Sequence, residues 1–235
     1  VISVWLAKAK IFGQVLGVNN ESQKKPLISP SAKVQSPGTR FEGKEAMREL
    51  FEGLGLQYIE RTLFSRECAI FLNTEKTDYE EYNKDTELAE ANIAKYQHLV
   101  QKGYMAPVYV KWMSDEVGYG LFASEDISAG SLIGEYAGVV TQKDQVHDRT
   151  WSWKYPIKGK FIDSLFQGTS LNGGEFGNEL RFINHSDDRN TSPVFVYDGE
   201  TWVNCYYARK PIAKDQELTV NYGKRYWKTR MKVDL

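Results

Sequence analysis

The chain has 235 residues, of which 41% are hydrophobic and 26% charged, with a formal net charge of -1 at pH 7. That length allows one large domain or two small ones, and the near-zero charge argues against a general nucleic-acid binder. Two cysteines, Cys68 and Cys205, are too few for a disulfide framework or a thiolate zinc cluster, and no apolar run reaches the roughly 18 residues of a membrane span.

Val1, Val4, Trp5, Ile11, Phe12, Val15 and Leu16 fit one side of a packed helix, while Lys8 and Lys10 interrupt the centre a signal peptide would need. Pro26, Pro30 and Pro37 mark residues 17–40 as a loop or linker. Met47, Leu50, Phe51 and Leu54 then recur at helical spacing, and Gly53 and Gly55 end that helix. Residues 75–90 are rich in acidic side chains and read as a solvated stretch that could attract a basic substrate. Ala89, Ile93, Tyr96 and Val100 predict a second amphipathic helix, closed by Gly103 and Pro107. Residues 1–105 are therefore expected to be a mostly helical region.

After Pro107 the pattern changes to short strands. Val108–Met113 is apolar and aromatic, and Leu132–Val140 is a glycine-punctuated strand. Asp198-Gly199, set between Val194–Tyr197 and Thr201–Tyr206, predicts a hairpin. Many short strands with glycine-rich turns suggest a compact α+β unit that is mostly β.

Four segments carry chemistry. In chain order they are Gly118-Tyr119-Gly120-Leu121-Phe122-Ala123, Gly134-Glu135-Tyr136-Ala137-Gly138, Arg181-Phe182-Ile183-Asn184-His185-Ser186 and Glu217-Leu218-Thr219-Val220-Asn221-Tyr222-Gly223. Their types and order resemble the SET domain of lysine methyltransferases, from about Val108 to Tyr222. The resemblance implies S-adenosylmethionine as methyl donor, S-adenosylhomocysteine as product, and a basic protein substrate such as a histone or histone-like protein. It implies a SET domain over 106–223, preceded by the helical region and followed by a tail, 224–235, that covers the cofactor site. Several small sheets are implied, with the Tyr222 segment threaded under the Asn184-His185 loop as a pseudoknot.

Methyl transfer to lysine needs a neutral amine, and deprotonating a free lysine at pH 7 costs about 4.6 kcal/mol. An apolar aromatic channel beside a sulfonium lowers that cost, provided no carboxylate holds the proton. By the resemblance, Tyr222 is the catalytic tyrosine, Tyr136 lines the lysine channel with it, and Val220 helps set how many methyl groups are added. Gly118, Tyr119, Gly120, Asn184, His185 and Tyr222 would hold the cofactor. Gly177-Asn178 matches the lead into the Asn-His segment, and Asp163 matches a family acidic position of structural role.

The chain also departs from the family pattern. Asp187, Asp188, Arg189 and Asn190 follow Ser186 where the common form continues Cys-x-Pro-Asn, and only Asn190 is kept. With that Cys gone and no cysteine cluster after Tyr222, no metal is expected. Trp227 is left either to stack on adenine or to pack on the domain. An active methyltransferase is favoured by Tyr222, Tyr136 and Asn184-His185. The altered segment after His185 supports the alternative, a SET-like binding or scaffold module without catalysis. Methyl transfer to a non-histone or small-amine acceptor is a third reading. No direct nucleic-acid or membrane contact is expected. The expected setting is soluble and reducing, a nucleus or a bacterial cytoplasm, with secretion as an effector also open.

Overall fold

The computed structural model describes residues 15–16, 38–71, 75–142, 150–155, 168–224 and 226–229. The predicted helix over Val1–Leu16, the proline-rich loop and Asp163 lie largely or wholly outside these. Val15–Leu16 (β1) is an exception, and it is a strand rather than a helix end.

Arg40–Glu42 (β2) leads into helix α1, Gly43–Gly53. Met47, Leu50 and Phe51 are fully buried along one stripe of α1, each contributing about 1.5–3 kcal/mol. Leu54 N–H bonds back to the Leu50 carbonyl, and Gly55, at φ +70°, turns the chain out of the helix. Gln57–Tyr58 (β3) and Leu63–Ser65 (β4) follow. The acidic stretch is docked rather than simply solvated: Glu80–Lys84 (α2) is helical, and the buried Tyr79 stacks on Trp202 at 4.9 Å. Tyrosines interleaved with the carboxylates anchor it, because large aromatic rings repay burial. Helix α3, Thr86–Gln101, is capped by the Asp85 side chain accepting from Leu88 N–H at 3.0 Å, and it buries Ala89, Tyr96 and Val100.

The strands after Pro107 are Val108–Ser114 (β5), Gly118–Ala123 (β6), Leu132–Glu135 (β7), Val139–Gln142 (β8), Ser152–Tyr155 (β9) and Thr169–Asn172 (β10). Then come Phe176–Gly177 (β11), Asn184–His185 (β12), Thr191–Tyr197 (β13), Trp202–Ala208 (β14) and Thr219–Val220 (β15). The described strands form five small sheets, ordered β1-β4-β8-β10-β9, β11-β3, β12-β15, β13-β14-β7 and β2-β5-β6. The helical region is therefore not separate from the strands that follow it. Phe41 pairs with Val110, Gln57 with Phe176 and Phe64 with Val140, so backbone bonds cross residue 105 in three sheets.

The predicted hairpin joins β13 to β14, with Tyr197 opposite Trp202. Asp198 Oδ1 accepts from the N–H groups of Glu200 and Thr201, closing the turn. Cys68 and Cys205 are buried free thiols that belong to different core clusters.

The decisive crossing is β12 against β15, a parallel pair with Asn184 opposite Thr219 and His185 opposite Val220. Ser186 N–H extends it to the Val220 carbonyl at 3.0 Å. Asn190 grips the same strand from the other side: its Nδ2 donates to the Glu217 carbonyl at 2.7 Å and its Oδ1 accepts from Thr219 N–H at 2.8 Å. Leu218 N–H bonds the Leu121 carbonyl at 2.8 Å. The segment ending at Tyr222 is thus held by β6, by the Asn-His strand and by the turn after it. That arrangement is the knotted crossing the resemblance implied.

Candidate active site

Tyr222 emerges from this crossing half-buried. Its N–H donates to His185 Nδ1 at 3.1 Å, and its hydroxyl donates to the Ile183 carbonyl at 2.7 Å. Burial holds its phenol well above the ordinary tyrosine range, with smaller contributions from Tyr226, Tyr136 and Glu217. His185 Nδ1 accepts, so in neutral imidazole Nε2 bears the proton. That nitrogen lies 3.3 Å from Asp187 Oδ1 without the alignment of a hydrogen bond.

Tyr136 follows directly after β7 and is 3% exposed. Its hydroxyl donates to the Trp151 carbonyl at 3.1 Å, and burial pushes its pKa up to about 12. Asn178 fixes the backbone on either side of it. Its Nδ2 donates to the Glu135 carbonyl at 2.7 Å, while its Oδ1 accepts from Leu180 N–H at 3.3 Å and lies 3.4 Å from Ala137 N. The ring packs against Trp153 at 6.3 Å and Tyr206 at 6.1 Å, and those two meet at 6.0 Å. Tyr206 is also pushed up, by burial first and then by the Tyr136 and Tyr222 phenols. Tyr136, Trp153 and Tyr206 therefore form one aromatic cluster, with the Tyr222 phenol near enough to act on those of Tyr136 and Tyr206. Val220 is buried in the same core, its backbone paired with His185.

On the other side of Asn184 lies a cradle. Asn184 Nδ2 donates to the Tyr119 carbonyl at 3.1 Å and to Glu217 Oε1 at 2.8 Å, and lies 3.6 Å from Met113 Sδ. Burial raises the Glu217 carboxyl, and the Asn184 bond opposes that. A Cβ at Gly120 would come within 2.5 Å of Met113 Sδ and 2.9 Å of Glu217 Oε1, so any larger residue there would push the side chains around Asn184 aside. Tyr119 packs its ring against Trp112 at 5.0 Å, while its carbonyl faces Asn184.

The tail closes over this region as a 3-10 turn, Tyr226–Thr229. Trp227 meets His185 edge-on at 4.9 Å and lies nearly parallel to Tyr222 at 6.2 Å. Its buried indole N–H has no hydrogen-bond partner. A glycine-lined cradle, an inward amide and this unpaired donor suit a polar adenosyl group that carries a cationic sulfur.

The structure brings together Tyr136, Tyr222, Asn184, His185, Gly120 and Trp227 within one connected region. Sequence reasoning missed Trp153, Tyr206, Met113, Glu217 and Arg181. Strand alternation marks Tyr206 as sharing a face with Trp202 and Asn204, but it cannot say that this face meets Tyr136. Glu217 and Arg181 stood inside motifs already singled out.

The family model described as SET domain matches residues 118–223. Over 127 residues the chain is 32% identical to histone-lysine N-methyltransferase EZH2 of Chaetomium thermophilum, covering 52% of this chain and 8% of that protein. Over 111 residues it is 32% identical to the putative histone-lysine N-methyltransferase ASHH4 of Arabidopsis thaliana, covering 46% of this chain and 31% of the relative. A crystal structure of the Chaetomium thermophilum polycomb repressive complex 2 aligns at a TM-score of 0.47 and 27% identity, covering 56% of this chain and 17% of that one. The chain thus spans less than a third of the length of these relatives. The matched residues, 118–223, hold the Asn184–Tyr222 crossing, the glycine cradle and the aromatic cluster, and over that stretch the chain has a SET domain.

Proposed function

We propose that the chain is an S-adenosylmethionine-dependent protein-lysine N-methyltransferase acting on basic, histone or histone-like proteins. The observation that carries the reading is the aromatic cluster of Tyr136, Trp153 and Tyr206 with Tyr222 beside it, which we read as the walls of a lysine slot, next to the cradle of Gly118, Tyr119, Gly120 and Asn184. The histone part of the proposal is supported by the names of the relatives, both histone-lysine methyltransferases.

When bound, S-adenosylmethionine supplies a methyl carbon that the amine lone pair takes while the carbon–sulfur electron pair stays on sulfur. Gly118, Tyr119, Gly120, Asn184 and His185 would hold it, and Trp227 would close over it. The slot strips water from an incoming lysine side chain, and none of its four walls is a carboxylate that would retain the proton. Tyr222 keeps its own proton across the working pH range, because burial raises its pKa. It therefore orients and polarises rather than acting as a base. The Ile183 carbonyl fixes its hydroxyl, and the His185 contact fixes its backbone.

The test is incubation of the chain with labelled S-adenosylmethionine and a panel of basic proteins, histones included, followed by mass spectrometry of modified lysines. Lysine methylation that depends on the Tyr222 hydroxyl supports the reading. Cofactor binding with no lysine modified across the panel would leave a SET-like binding module instead.

A further inference from the structure

We propose that Arg181, through its buried positive charge, lowers the pKa of the target lysine so that the amine is neutral when it meets the methyl donor. The inference rests on the lysine methyltransferase reading above and names a residue that acts on the substrate's ionisation from behind the slot.

Arg181 lies in the 3-10 turn Glu179–Phe182 and is 6% exposed. Its guanidinium sits 4.6 Å from the Trp151 ring centroid and 5.7 Å from those of Phe51 and Phe182. One terminal nitrogen donates to the Gly174 carbonyl at 3.2 Å, and its buried Nε has no hydrogen-bond partner. Among the described residues no carboxylate forms an ion pair with it. Burial lowers its pKa, yet a guanidinium keeps its charge in a protein. An unpaired buried cation is costly, and an uncharged side chain could fill the same aromatic cage without that cost. The charge therefore calls for a use other than packing.

The slot wall supplies one. The Trp151 carbonyl that accepts the Tyr136 hydroxyl belongs to the residue whose ring Arg181 covers. Gly173, next to the Gly174 carbonyl that Arg181 holds, lies so close to Tyr136 that a Cβ there would meet its hydroxyl at 2.7 Å. Arg181 thus backs both segments that close around the Tyr136 hydroxyl. The titratable group facing it is Tyr136. Across the slot stand Tyr206 and Tyr222, both uncharged because burial raises their pKa values. Glu217 faces Tyr222 from the cradle side, where Asn184 binds it. An ammonium in the slot meets a like charge behind Tyr136 and no anion among the slot walls. It gives its proton to solvent on entry.

A nearby cation lowers an amine's pKa, so removing the cation raises it. Below that pKa the rate then falls tenfold per unit, and above it the rate recovers. The experiment measures the single-turnover rate at saturating enzyme and cofactor, which reports the bound amine, from about pH 6.5 to 10.5 for wild type, Arg181→Met and Arg181→Lys, on a lysine peptide that the wild type methylates. Arg181→Met should move the rising limb up by about one unit. Activity would then fall roughly tenfold near pH 7.5 and return to near wild type at the top of the range. Arg181→Lys, which conserves charge, should stay nearer the wild-type limb. If Arg181→Met does not fold by circular dichroism, Arg181→Gln, which keeps a donor for the Gly174 carbonyl, takes its place. A loss that is parallel at every pH, or unfolding of both neutral variants, assigns Arg181 to packing and overturns the inference. A wild type that methylates no lysine defeats the methyltransferase reading itself, an outcome distinct from a parallel loss in an active enzyme.

Discussion

Tyr222→Phe removes one oxygen atom and leaves every ring contact in place. The ring still packs on Tyr226 at 4.5 Å and His185 at 5.4 Å, and the backbone N–H still reaches His185 Nδ1. What disappears is the 2.7 Å bond to the Ile183 carbonyl and the oxygen dipole at the mouth of the slot. The lost hydrogen bond costs about 0.5–1.5 kcal/mol of stability, a fall in Tm of about 2–4 °C per kcal/mol for a chain of this size. The variant should therefore fold and keep most of its cofactor affinity. Turnover should fall at least tenfold, about 1.4 kcal/mol of transition-state stabilisation. The two costs are similar in size, so only a rate measured at the chemical step separates a catalytic hydroxyl from a structural one. Single turnovers with enzyme in excess over labelled peptide and saturating cofactor provide that rate, with thermal unfolding and calorimetry run alongside. A folded, cofactor-binding variant with a wild-type single-turnover rate would refute the reasoning and pass the role to Tyr136.

Other outcomes follow from the same geometry. Asn184→Ala frees the Tyr119 carbonyl and Glu217 of their shared donor, so calorimetry should show S-adenosylmethionine binding at least tenfold weaker, about 1.4 kcal/mol; unchanged affinity removes Asn184 from the site. Asn190→Ala leaves the Glu217 carbonyl and Thr219 N–H without partners and should cost about 2–4 kcal/mol in urea unfolding; a loss below roughly 0.5 kcal/mol would show that the clamp carries little. Glu179 is buried with Tyr58 as its hydrogen-bond donor, and burial raises its pKa. A raised carboxyl pKa gives stability at low pH that is lost as pH rises through the folded value. Glu179→Gln should therefore raise Tm more at pH 8 than at pH 4, and an equal change at both would contradict that sign. Chelation should leave methylation intact and metal analysis should find no stoichiometric zinc; activity lost to a chelator and restored by zinc would count against a metal-free site.

Local pattern carried a good deal of this molecule. The stripe of Met47, Leu50 and Phe51 placed α1, the run from Ala89 to Val100 placed α3, and Asp198-Gly199 placed the β13–β14 hairpin. Each signal is written within a dozen or so residues, because helical and strand periods report which face of an element is buried. Four ordered motifs added Tyr136, Asn184, His185 and Tyr222 as candidate site residues. The periodicity did not reveal which faces would meet. Tyr206 joins Tyr136 because β14 pairs with β7 in one sheet, and Trp153 joins them because β9, in another sheet, packs on the same core. Glu217 reaches Asn184 because β15 pairs in parallel with β12, and Met113 reaches it from β5. The acidic stretch looked solvated until Tyr79 stacked on Trp202, and the N-terminal region, expected to be mostly helical, also gives β2, β3 and β4 to three sheets. The spacing of apolar residues within a short window shows which face of an element can be buried. A residue's partner across the core is set by how distant segments close on one another, and that choice depends on the energy of the whole packed chain rather than on any window of it.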